Sequence, residues 1–542
     1  MLDLIIKNGT IVDGTGNERY KADIGIKDAI ICEINENIKD TAHKQIDASG
    51  LIVSPGFIDI HGHSDFTLFV NNKGESKIRQ GITTEVVGNC GFTAAPVVEE
   101  HQDELLQLLA NTVILDDEQK SKWKWKSQRD FLEESASKGL SFNIVPLVGH
   151  GTIKVAVMGF DRNKPTKDQM EKMKAMLRNE MENGLFGLST GLEYEPGLYT
   201  DIDELVELCK VLKEYDGVYT THMKNEGRDV LNCIEEALEI GRQSGASIEI
   251  SHLKAQYKPN WGKVNEALRM IDEAYEEGVN VGFDVYPYTA FGSGLIDLAP
   301  PWTRADGAKK MVELMKDENI RAKIIKDMQS YSDEWENPML TEGWDKTVKI
   351  AMLKTEKNKK YESLTIHEIA KDMGCSPYEA VVRLLVEEEA AVKCVYFAMS
   401  EEDLRTVMKH PRAMFCTDGR AVATYGELGT GSVHPRYYGT YPRILGKYVR
   451  EEKIMSLEEA IKKSTMLPAQ KFKLKRRGEI KEGYYADITI FDEEEIIDVA
   501  TFEKPHQYPK GIEYVIVAGQ IVIEKGEHTG NLPGRILNRK FD

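Results

Sequence analysis

Short apolar runs that end in polar residues and glycine recur along the chain. Each run is rich in Val, Ile, Phe, Leu or Thr, and each changes to polar side chains at its C-terminal end. This pattern is typical of buried parallel strands. The eight runs are GFIDIHGHSD (56–65), GITTEVVGNCG (81–91), NIVPLVGHG (143–151), GLFGLSTGLEY (184–194), GVYTTHMKNE (217–226), ASIEISHLKA (246–255), VNVGFDVYPY (279–288) and AMFCTDG (413–419).

Amphipathic segments separate most of these runs and predict helices between the strands. Examples are Lys167–Glu182, Asp203–Tyr215 and Lys263–Glu277. Eight strands that alternate with helices are the pattern of a (β/α)8 barrel. A doubly wound open sheet is the rival, but it requires a glycine-rich phosphate loop after the first strand, and HGHSD is not one. We therefore predict an α/β fold with a catalytic (β/α)8 barrel over residues 56–469.

The interval between the seventh and eighth runs is several times longer than the usual repeat of ~30 residues. Residues 300–365 within it are helix-like and heavily charged, which predicts an inserted helical subdomain between strands seven and eight. This insertion would lie over the C-terminal mouth of the barrel, where active sites of such barrels are found. Two roles remain open for it, a lid and a stabilising insertion.

The two ends of the chain resemble each other. Residues 2–14 (LDLIIKNGTIVDG) and 512–525 (IEYVIVAGQIVIEK) both alternate apolar and polar positions across a turn that contains glycine. This alternation predicts strands that are buried on one face. We expect residues 1–55 and 470–542 to form one small antiparallel β-sandwich beside the barrel.

Composition and charge narrow the classes of function. The 542 residues are 41% hydrophobic, and the formal net charge of -19 disfavours non-specific binding to nucleic acid, because phosphate repels an acidic surface. The N-terminal segment lacks the features of a signal peptide, and no apolar run reaches the ~18 residues that cross a bilayer. We expect a cytoplasmic protein without a membrane partner. The oligomeric state is left open by the sequence.

Potential metal ligands follow several of the predicted strands. His61 and His63 are two residues apart after the first strand, so their side chains point to the same side. Two imidazoles on one side are suited to hold a metal ion. Further candidates follow other strands, namely Cys90 after strand two, His222 after strand five, His252 after strand six and Asp418 after strand eight. The chain has only 12 histidines, yet four stand at such positions, which favours a shared metal site over isolated core histidines.

This ordered set resembles the amidohydrolase superfamily, and within it the D-aminoacylase (N-acyl-D-amino-acid deacylase) family. The motifs that carry the resemblance are SPGFIDIHGHSD, GNCGFTAAP, STGLEYEPG, THMKNEG, SHLKA, CTDG and HPRYYGTYPRILG, and they extend over nearly the full chain. In small departures from the family pattern, Gly62 stands where a larger residue is often found, Thr93 fills a frequent serine position, and Tyr441 replaces a usual phenylalanine.

The resemblance implies a metal centre and a reaction. A tightly bound Zn²⁺ would be held by Cys90, His222 and His252, with the cysteine in place of the carboxylated lysine of many relatives. His61, His63, Asp418 and the shared cysteine would form a second, weaker site. Asp418 would also be the catalytic base. Tyr194, Lys254 and Arg436 match residues that hold the substrate carboxylate or the scissile carbonyl. The expected reaction is hydrolysis of a small-molecule N-acyl-D-amino acid to a D-amino acid and a carboxylate.

Three alternatives remain open at this point. A D-specific dipeptidase would cleave a closely similar amide bond. A cyclic amidohydrolase of the hydantoinase or dihydroorotase kind would carry a metal-bridging lysine on strand four, but residues 184–192 contain none. A non-catalytic barrel would have lost some of the ligands, whereas all six proposed positions are filled here.

Overall fold

The computed structural model describes residues 1–109, 117–305, 307–333 and 335–542. Of the intervening residues, 110–116 belong to the predicted barrel segment, and 306 and 334 belong to the predicted insertion. These nine positions lie outside the described residues.

The described residues form three groups of strands, which are the barrel strands, the strands of a sheet from both termini, and the strands of an insertion. The strands are β1 (Leu2–Ile11), β2 (Tyr20–Lys27), β3 (Ile30–Asn35), β4 (Ala42–Asp47), β5 (Ile52–Pro55), β6 (Phe57–Asp59), β7 (Ile82–Val87), β8 (Asn143–Pro146), β9 (Val148–Gly149), β10 (Gly187–Gly191), β11 (Val218–His222), β12 (Ser247–Ile250), β13 (Val281–Val285), β14 (Phe291–Gly294), β15 (Val348–Met352), β16 (Lys393–Tyr396), β17 (Ala413–Phe415), β18 (Ile488–Phe491), β19 (Ile512–Val517), β20 (Gln520–Glu524) and β21 (Glu527–His528).

Most helices either alternate with the barrel strands or belong to the insertion. They are α1 (Glu75–Ile78), α2 (Gln102–Leu109), α3 (Asp117–Lys122), α4 (Gln128–Ser135), α5 (His150–Met158), α6 (Lys167–Glu182), α7 (Ile202–Glu214), α8 (Val230–Ser244), α9 (Lys263–Glu276), α10 (Pro301–Arg304), α11 (Gly307–Lys316), α12 (Glu318–Met328), α13 (Trp344–Thr347), α14 (Ile366–Met373), α15 (Pro377–Glu387), α16 (Glu401–Lys409), α17 (Arg436–Arg443), α18 (Leu457–Ser464) and α19 (Met466–Lys471). Among the described residues, no helix combines the length and the apolar character needed to span a membrane.

The eight predicted runs all form strands, and they pair in parallel in chain order. β6, β7 and β8 form one sheet, and β9, β10, β11, β12, β13 and β17 form another. The two sheets are continuous through Leu147, which separates β8 from β9 and donates its backbone N–H to the carbonyl of Val87. On the other side, Gly62 pairs in parallel with Gly419 beyond the ends of β6 and β17. The last strand therefore returns to the first, as in a closed parallel barrel.

The predicted helices form because each has one apolar face and well-defined ends. In α6, the Thr166 side chain accepts from the backbone of Gln169 in a capping box. Met173, Leu177 and Met181 follow at four-residue spacing and are all buried against the barrel. Burial of each such side chain contributes about 1.5–3 kcal/mol. The observed bounds of α6, α7 and α9 agree with the predicted segments to within one residue.

The strands from the two termini form one nine-stranded sheet, as the shared pattern of the chain ends suggests. The expectation of a wholly antiparallel arrangement is wrong, because β1 runs parallel to both β4 and β5. The reason is that the chain crosses back after β3 and enters β4 in the direction of β1. The last residues of the chain leave this sheet, since residues 533 and 536 pair with the barrel near β8, where Leu537 is fully buried.

The segment between β13 and β17 contains a second apolar core. This core contains the buried side chains of Leu295, Met311, Ile324, Ile366, Leu384 and their neighbours. The expectation of a purely helical insertion over 300–365 is too narrow, because β14, β15 and β16 form an antiparallel sheet that extends from Phe291 to Tyr396. These strands have only four or five residues, and long helical stretches separate β15 from the other two, so no local alternation indicates them.

Candidate metal centre

The six predicted ligand residues all lie just beyond the C-terminal ends of barrel strands. His222 is the last residue of β11, His61 follows β6 by two residues, and His252 follows β12 by two. Cys90 and Asp418 each stand three residues after their strands, β7 and β17. Because the strands are parallel, these ends meet at one mouth of the barrel.

Three of these residues have a left-handed backbone, which is uncommon for residues other than glycine. The φ angles are 55° at Cys90, 38° at His252 and 43° at Asp418. Such conformations cost on the order of 1–3 kcal/mol each and occur where surrounding structure holds them. Beside Cys90, a side chain at Gly191 would lie 2.2 Å from the cysteine carbonyl, so only glycine lets the two strand ends approach so closely.

The Cys90 thiol is surrounded by four imidazoles. Its Sγ lies 3.4 Å from Nε2 of His61, 3.8 Å from Nε2 of His63, 3.8 Å from Nδ1 of His222 and 4.0 Å from Nε2 of His252. Ligand atoms around one tetrahedral zinc are roughly 3.3–3.8 Å apart, given Zn–N and Zn–S distances of ~2.0–2.3 Å. The separations therefore fit a metal ion with a small inward adjustment of the last histidine.

Three overlapping groups of side chains are arranged to hold metal ions. In each group the ligand atoms lie within 4.8 Å of one another. The groups are Cys90, His222 and His252; His61, His63 and Cys90; and His61, His252 and Asp418. A thiolate with two imidazoles and an open fourth position is a donor set that suits catalytic zinc. Cys90, His61 and His252 each belong to two of these groups, so the three groups surround adjoining positions.

Electrostatic interactions favour the charged form of the cysteine. Burial alone would raise the pKa of the Cys90 thiol, but the charge of His61 and hydrogen bonds with His222 and His252 hold that pKa well below its usual value. A thiolate is the form that binds a metal ion. The site is thus suited to take up a cation without first having to remove a tightly held proton.

Carboxylates orient the outer nitrogen atoms of the histidines. Nε2 of His222 lies 2.9 Å from Oε2 of Glu193, and Nδ1 of His252 lies 2.8 Å from Oε1 of Glu226. Partners of this kind fix the ring orientation and raise the basicity of the ligating nitrogen. Glu226 is buried, whereas the Glu193 side chain is 44% exposed.

Asp418 lies between the histidine pair and Arg436. Its Oδ1 is 3.2 Å from Nε2 of His63 and 3.7 Å from Nε2 of His61, and its Oδ2 is 3.0 Å from Nη1 of Arg436. Burial would raise the pKa of this carboxyl, but Arg436 and His63 hold the pKa well below its usual range. The aspartate is therefore ionised, as a metal ligand or a base must be.

The three predicted substrate-binding residues lie around the same mouth. Arg436 is buried, and its Nε makes no hydrogen bond within the described part of the chain. The Lys254 ammonium contacts Oε2 of Glu226 at 2.6 Å and the carbonyl of His252 at 2.9 Å. The Tyr194 ring lies 5.0 Å from the ring of His222.

Sequence analysis missed Asp284. Its Oδ2 lies 3.4 Å from Nδ1 of His61, and its Oδ1 accepts the backbone N–H of His252 at 2.8 Å. It thus contacts two of the candidate ligand residues from inside the barrel. A signal was present, because Asp284 is the only charged residue in the apolar run VNVGFDVYPY.

Comparisons with known proteins agree with this geometry. The chain matches the Amidohydrolase family over residues 44–433 and 427–523. It is 34% identical to N-acyl-D-glutamate deacylase from Alcaligenes xylosoxydans xylosoxydans, over 99% of this chain and 97% of that protein. It is 31% identical to D-aminoacylase from the same organism, over 99% of this chain and 98% of that one.

Solved structures of such deacylases are also similar to this chain over nearly its full length. The crystal structure of N-acyl-D-glutamate deacylase from Bordetella bronchiseptica, complexed with zinc and a phosphonate mimic of the tetrahedral intermediate, is 32% identical with a TM-score of 0.82 and covers 99% of both chains. A D-aminoacylase structure described by its binuclear metal centre is 31% identical with a TM-score of 0.81, over 99% of this chain and 100% of that chain. D-hydantoinase, at 15% identity and a TM-score of 0.54, shares the fold. By family match, full-length similarity and the convergence of its barrel-mouth residues, the chain belongs to the amidohydrolase family.

Proposed function

We propose that this protein hydrolyses the amide bond of N-acyl-D-amino acids, with zinc as its cofactor, and releases a D-amino acid and a carboxylate. The observation that carries the proposal is the convergence of one thiolate, four imidazoles and one carboxylate within 4.0 Å contacts at the barrel mouth. The relatives support the choice of substrate, because two that match over nearly the full length are named N-acyl-D-glutamate deacylase and D-aminoacylase.

Cys90, His222 and His252 would hold the tightly bound zinc, and His61, His63 and Asp418 with the shared cysteine would hold a second, weaker ion. A bound zinc ion supplies Lewis-acid activation of water and of the scissile carbonyl. Relatives support this assignment, since one of their structures contains zinc and another is described as binuclear.

Asp418 would take a proton from the attacking water and deliver it to the departing nitrogen, which is the role of a general base followed by a general acid. Its contact of 3.2 Å with His63 supports a position beside the proposed second ion. Arg436 would hold the α-carboxylate of the substrate, because its planar guanidinium suits a carboxylate and its Nε has no other partner among the described residues.

Tyr194 and Lys254 would contribute to binding near the scissile carbonyl. The Tyr194 ring lies 5.0 Å from the ring of His222 and is tilted by 51° against it. Lys254 is fixed by Glu226, so it offers a positive charge at a defined place. Its charge is secure, because the negative charge of Glu226 outweighs the effect of burial and raises the lysine pKa.

The cyclic amidohydrolases are a weaker candidate for a specific reason. Strand β10, the fourth barrel strand, reads GLSTG and carries no lysine, while Cys90 belongs to two of the candidate ligand groups and would take the part of that lysine. A D-specific dipeptidase remains the nearest alternative, because a dipeptide is also an acylated amino acid.

We also propose a division of the chain into a terminal β-sandwich domain (1–55 and 470–542), a catalytic barrel (56–469) and an insertion within it. The separate apolar cores of the terminal sheet and of the insertion support this division. The tail after residue 530 is the exception, because it packs at the N-terminal ends of the barrel strands.

The test is a hydrolysis panel of N-acetyl and N-formyl D- and L-amino acids, with a D-dipeptide and a hydantoin included. We expect hydrolysis of D-configured N-acyl amino acids, and near-complete loss in Cys90→Ala and Asp418→Ala. Preferred cleavage of the hydantoin, or normal rates in both variants, would contradict the proposal.

A further inference from the structure

A buried lysine lies directly beneath the metal centre. The Lys77 side chain is fully inaccessible to solvent, and its Nζ donates to Oδ2 of Asp59 at 2.7 Å, to Oγ1 of Thr417 at 2.6 Å and to the carbonyl of Gly419 at 2.8 Å. Oε1 of Glu85 lies 3.0 Å from the same ammonium. No part of the proposed reaction uses this cation.

Three of the four partners of this ammonium belong to the first and last barrel strands or the residues after them, and the fourth, Glu85, lies on β7. Asp59 ends β6, the strand that carries the histidine pair, whereas Thr417 and Gly419 flank Asp418 after β17. Asp59 also accepts from the backbone N–H of Thr417 at 2.9 Å and from its hydroxyl at 2.6 Å. The lysine therefore connects the segment of the histidines to the turn of the aspartate.

The surrounding cluster is packed tightly under the histidine pair. Oε1 of Glu85 accepts from the Ser64 hydroxyl at 2.7 Å, and a side chain at position 62 would lie 1.8 Å from that same oxygen. This contact explains why the residue between the two histidines is glycine. Without its cation, the cluster would leave two buried carboxylates facing each other, which repel and favour separation of the two segments.

We propose that Lys77 is a positioning residue of the metal centre. Its ammonium fixes the separation between the imidazoles on the first strand and the carboxylate of Asp418. That separation decides whether both groups reach one ion, and the present contact is 3.2 Å between His63 and Asp418. The expected effect of Lys77 on kcat rests on the proposed function. Its expected effect on the affinity for Zn²⁺ can be measured without that function.

The chain offers a control in Lys154, a second fully buried lysine, in a cluster with Glu204 on helix α7 and Thr200 just before that helix. Its Nζ contacts both oxygens of Glu204 at 2.8 and 3.0 Å and the hydroxyl of Thr200 at 3.0 Å. Lys77→Met removes a buried cation from the carboxylates of Asp59 and Glu85, and Lys154→Met removes one from the carboxylate of Glu204. Both should lower the thermal unfolding temperature to a similar extent.

A milder pair of variants keeps both lysines and retains folding. Thr417→Val removes the hydroxyl that contacts the Lys77 ammonium and Asp59 and accepts the backbone N–H of Gly419, and Thr200→Val removes the hydroxyl that contacts Lys154. Measurements are kcat and KM on an N-acyl-D-amino acid, and titration of the metal-free protein with Zn²⁺ to obtain the affinities of the first and second ions.

We expect Thr417→Val and any folded Lys77→Met protein to lose at least ~10-fold in kcat with KM little changed, since a displacement near 1 Å can cost up to ~10²-fold. The second ion should bind more weakly by ~10–100-fold, as for other groups that orient ligands, while the affinity of the first ion stays the same. Thr200→Val and folded Lys154→Met should retain the wild-type kcat and the wild-type affinity for the second ion.

Suppose that the variants around Lys77 and those around Lys154 lose kcat and second-ion affinity equally, after correction for the folded fraction. That result would overturn the proposal. So would a Thr417→Val protein with unchanged kcat and unchanged second-ion affinity. If the wild-type protein hydrolyses no N-acyl amino acid, the proposed function fails, and the zinc titration alone then decides the role of Lys77.

Discussion

Nη1 of Arg436 lies 3.0 Å from Oδ2 of Asp418, at a depth where the arginine is almost fully buried. The guanidinium also lies over the ring of Tyr286, with 4.6 Å between its carbon and the ring centroid. One face of the arginine is thus fixed by the protein, while its Nε is without a partner among the described residues. The carboxylate-binding role that we propose for Arg436 would use this vacant side without displacing Asp418.

The variant Arg436→Lys tests this arrangement, because it keeps the charge and removes the planar fork. Loss of a hydrogen bond to a charged group costs about 1.5–3 kcal/mol, so KM for an N-acyl-D-amino acid should rise by ~10–100-fold. The matched substrate is the corresponding α-carboxamide, which should be hydrolysed poorly by both proteins. If the variant impairs acid and carboxamide equally, Arg436 does not bind the α-carboxylate.

Removal of the proposed base should reduce chemistry and spare the first zinc. We expect Asp418→Ala to lose at least ~10²-fold in kcat, the lower end of general acid–base contributions. Elemental analysis should still find one zinc per chain, because Cys90, His222 and His252 are unchanged. A kcat within ~10-fold of the wild type would exclude Asp418 as the base.

Two glutamates that contact histidine ligands should differ in their effect on zinc binding. Glu226 is buried between His252 and Lys254, whereas the Glu193 carboxylate beside His222 is largely exposed to water. Glu226→Gln should lower zinc affinity by ~10–100-fold, and Glu193→Gln should lower it less. Competition with a chelator measures both affinities. Equal effects would mean that burial of the partner carboxylate is irrelevant to the strength of the site.

A buried carboxyl on helix α6 predicts pH-dependent stability outside the site. Burial raises the pKa of Glu180 to about 8, against the backbone hydrogen bond from Gln128. The folded state thus binds a proton that the unfolded state releases near pH 4.5, and stability falls as pH rises from about 4.5 through 8.

The isosteric variant Glu180→Gln has a side chain that cannot ionise. Its stability should therefore not fall in this way as the pH rises. At pH 4 or below the two proteins should unfold at similar denaturant concentrations, and at pH 9 the variant should be more stable by about 1–4 kcal/mol. Glu182→Gln, an exposed position on the same helix, is the control and should have little effect at either pH. A difference that does not grow with pH would contradict the ionisation of Glu180.

Much of the barrel could be predicted from the sequence because its strands carry a local signal. Apolar runs that end in polar residues marked all eight strands, and the parallel order then placed Cys90, His222, His252 and Asp418 at one mouth. The helices could be predicted equally well, since α6 and α9 show a regular apolar face and clear ends.

The missed features depend on contacts between distant segments. Lys77 reads as one charged residue on a short helix, and only the fold brings it against Asp59 and Thr417. The same holds for Asp284, which meets His61 across the barrel interior. The parallel pairing of β1 with β4 was missed for a related reason, because alternation predicts a strand but not its neighbour.

We propose that a thiolate and imidazoles from separate strands bind one catalytic zinc ion. X-ray absorption at the zinc edge, on protein loaded with one equivalent of Zn²⁺, identifies the atoms bound to that ion. We expect one sulfur at ~2.3 Å with nitrogen or oxygen neighbours at ~2.0–2.1 Å, and loss of the sulfur in Cys90→Ala. A spectrum of the wild-type protein with nitrogen and oxygen neighbours alone would contradict it.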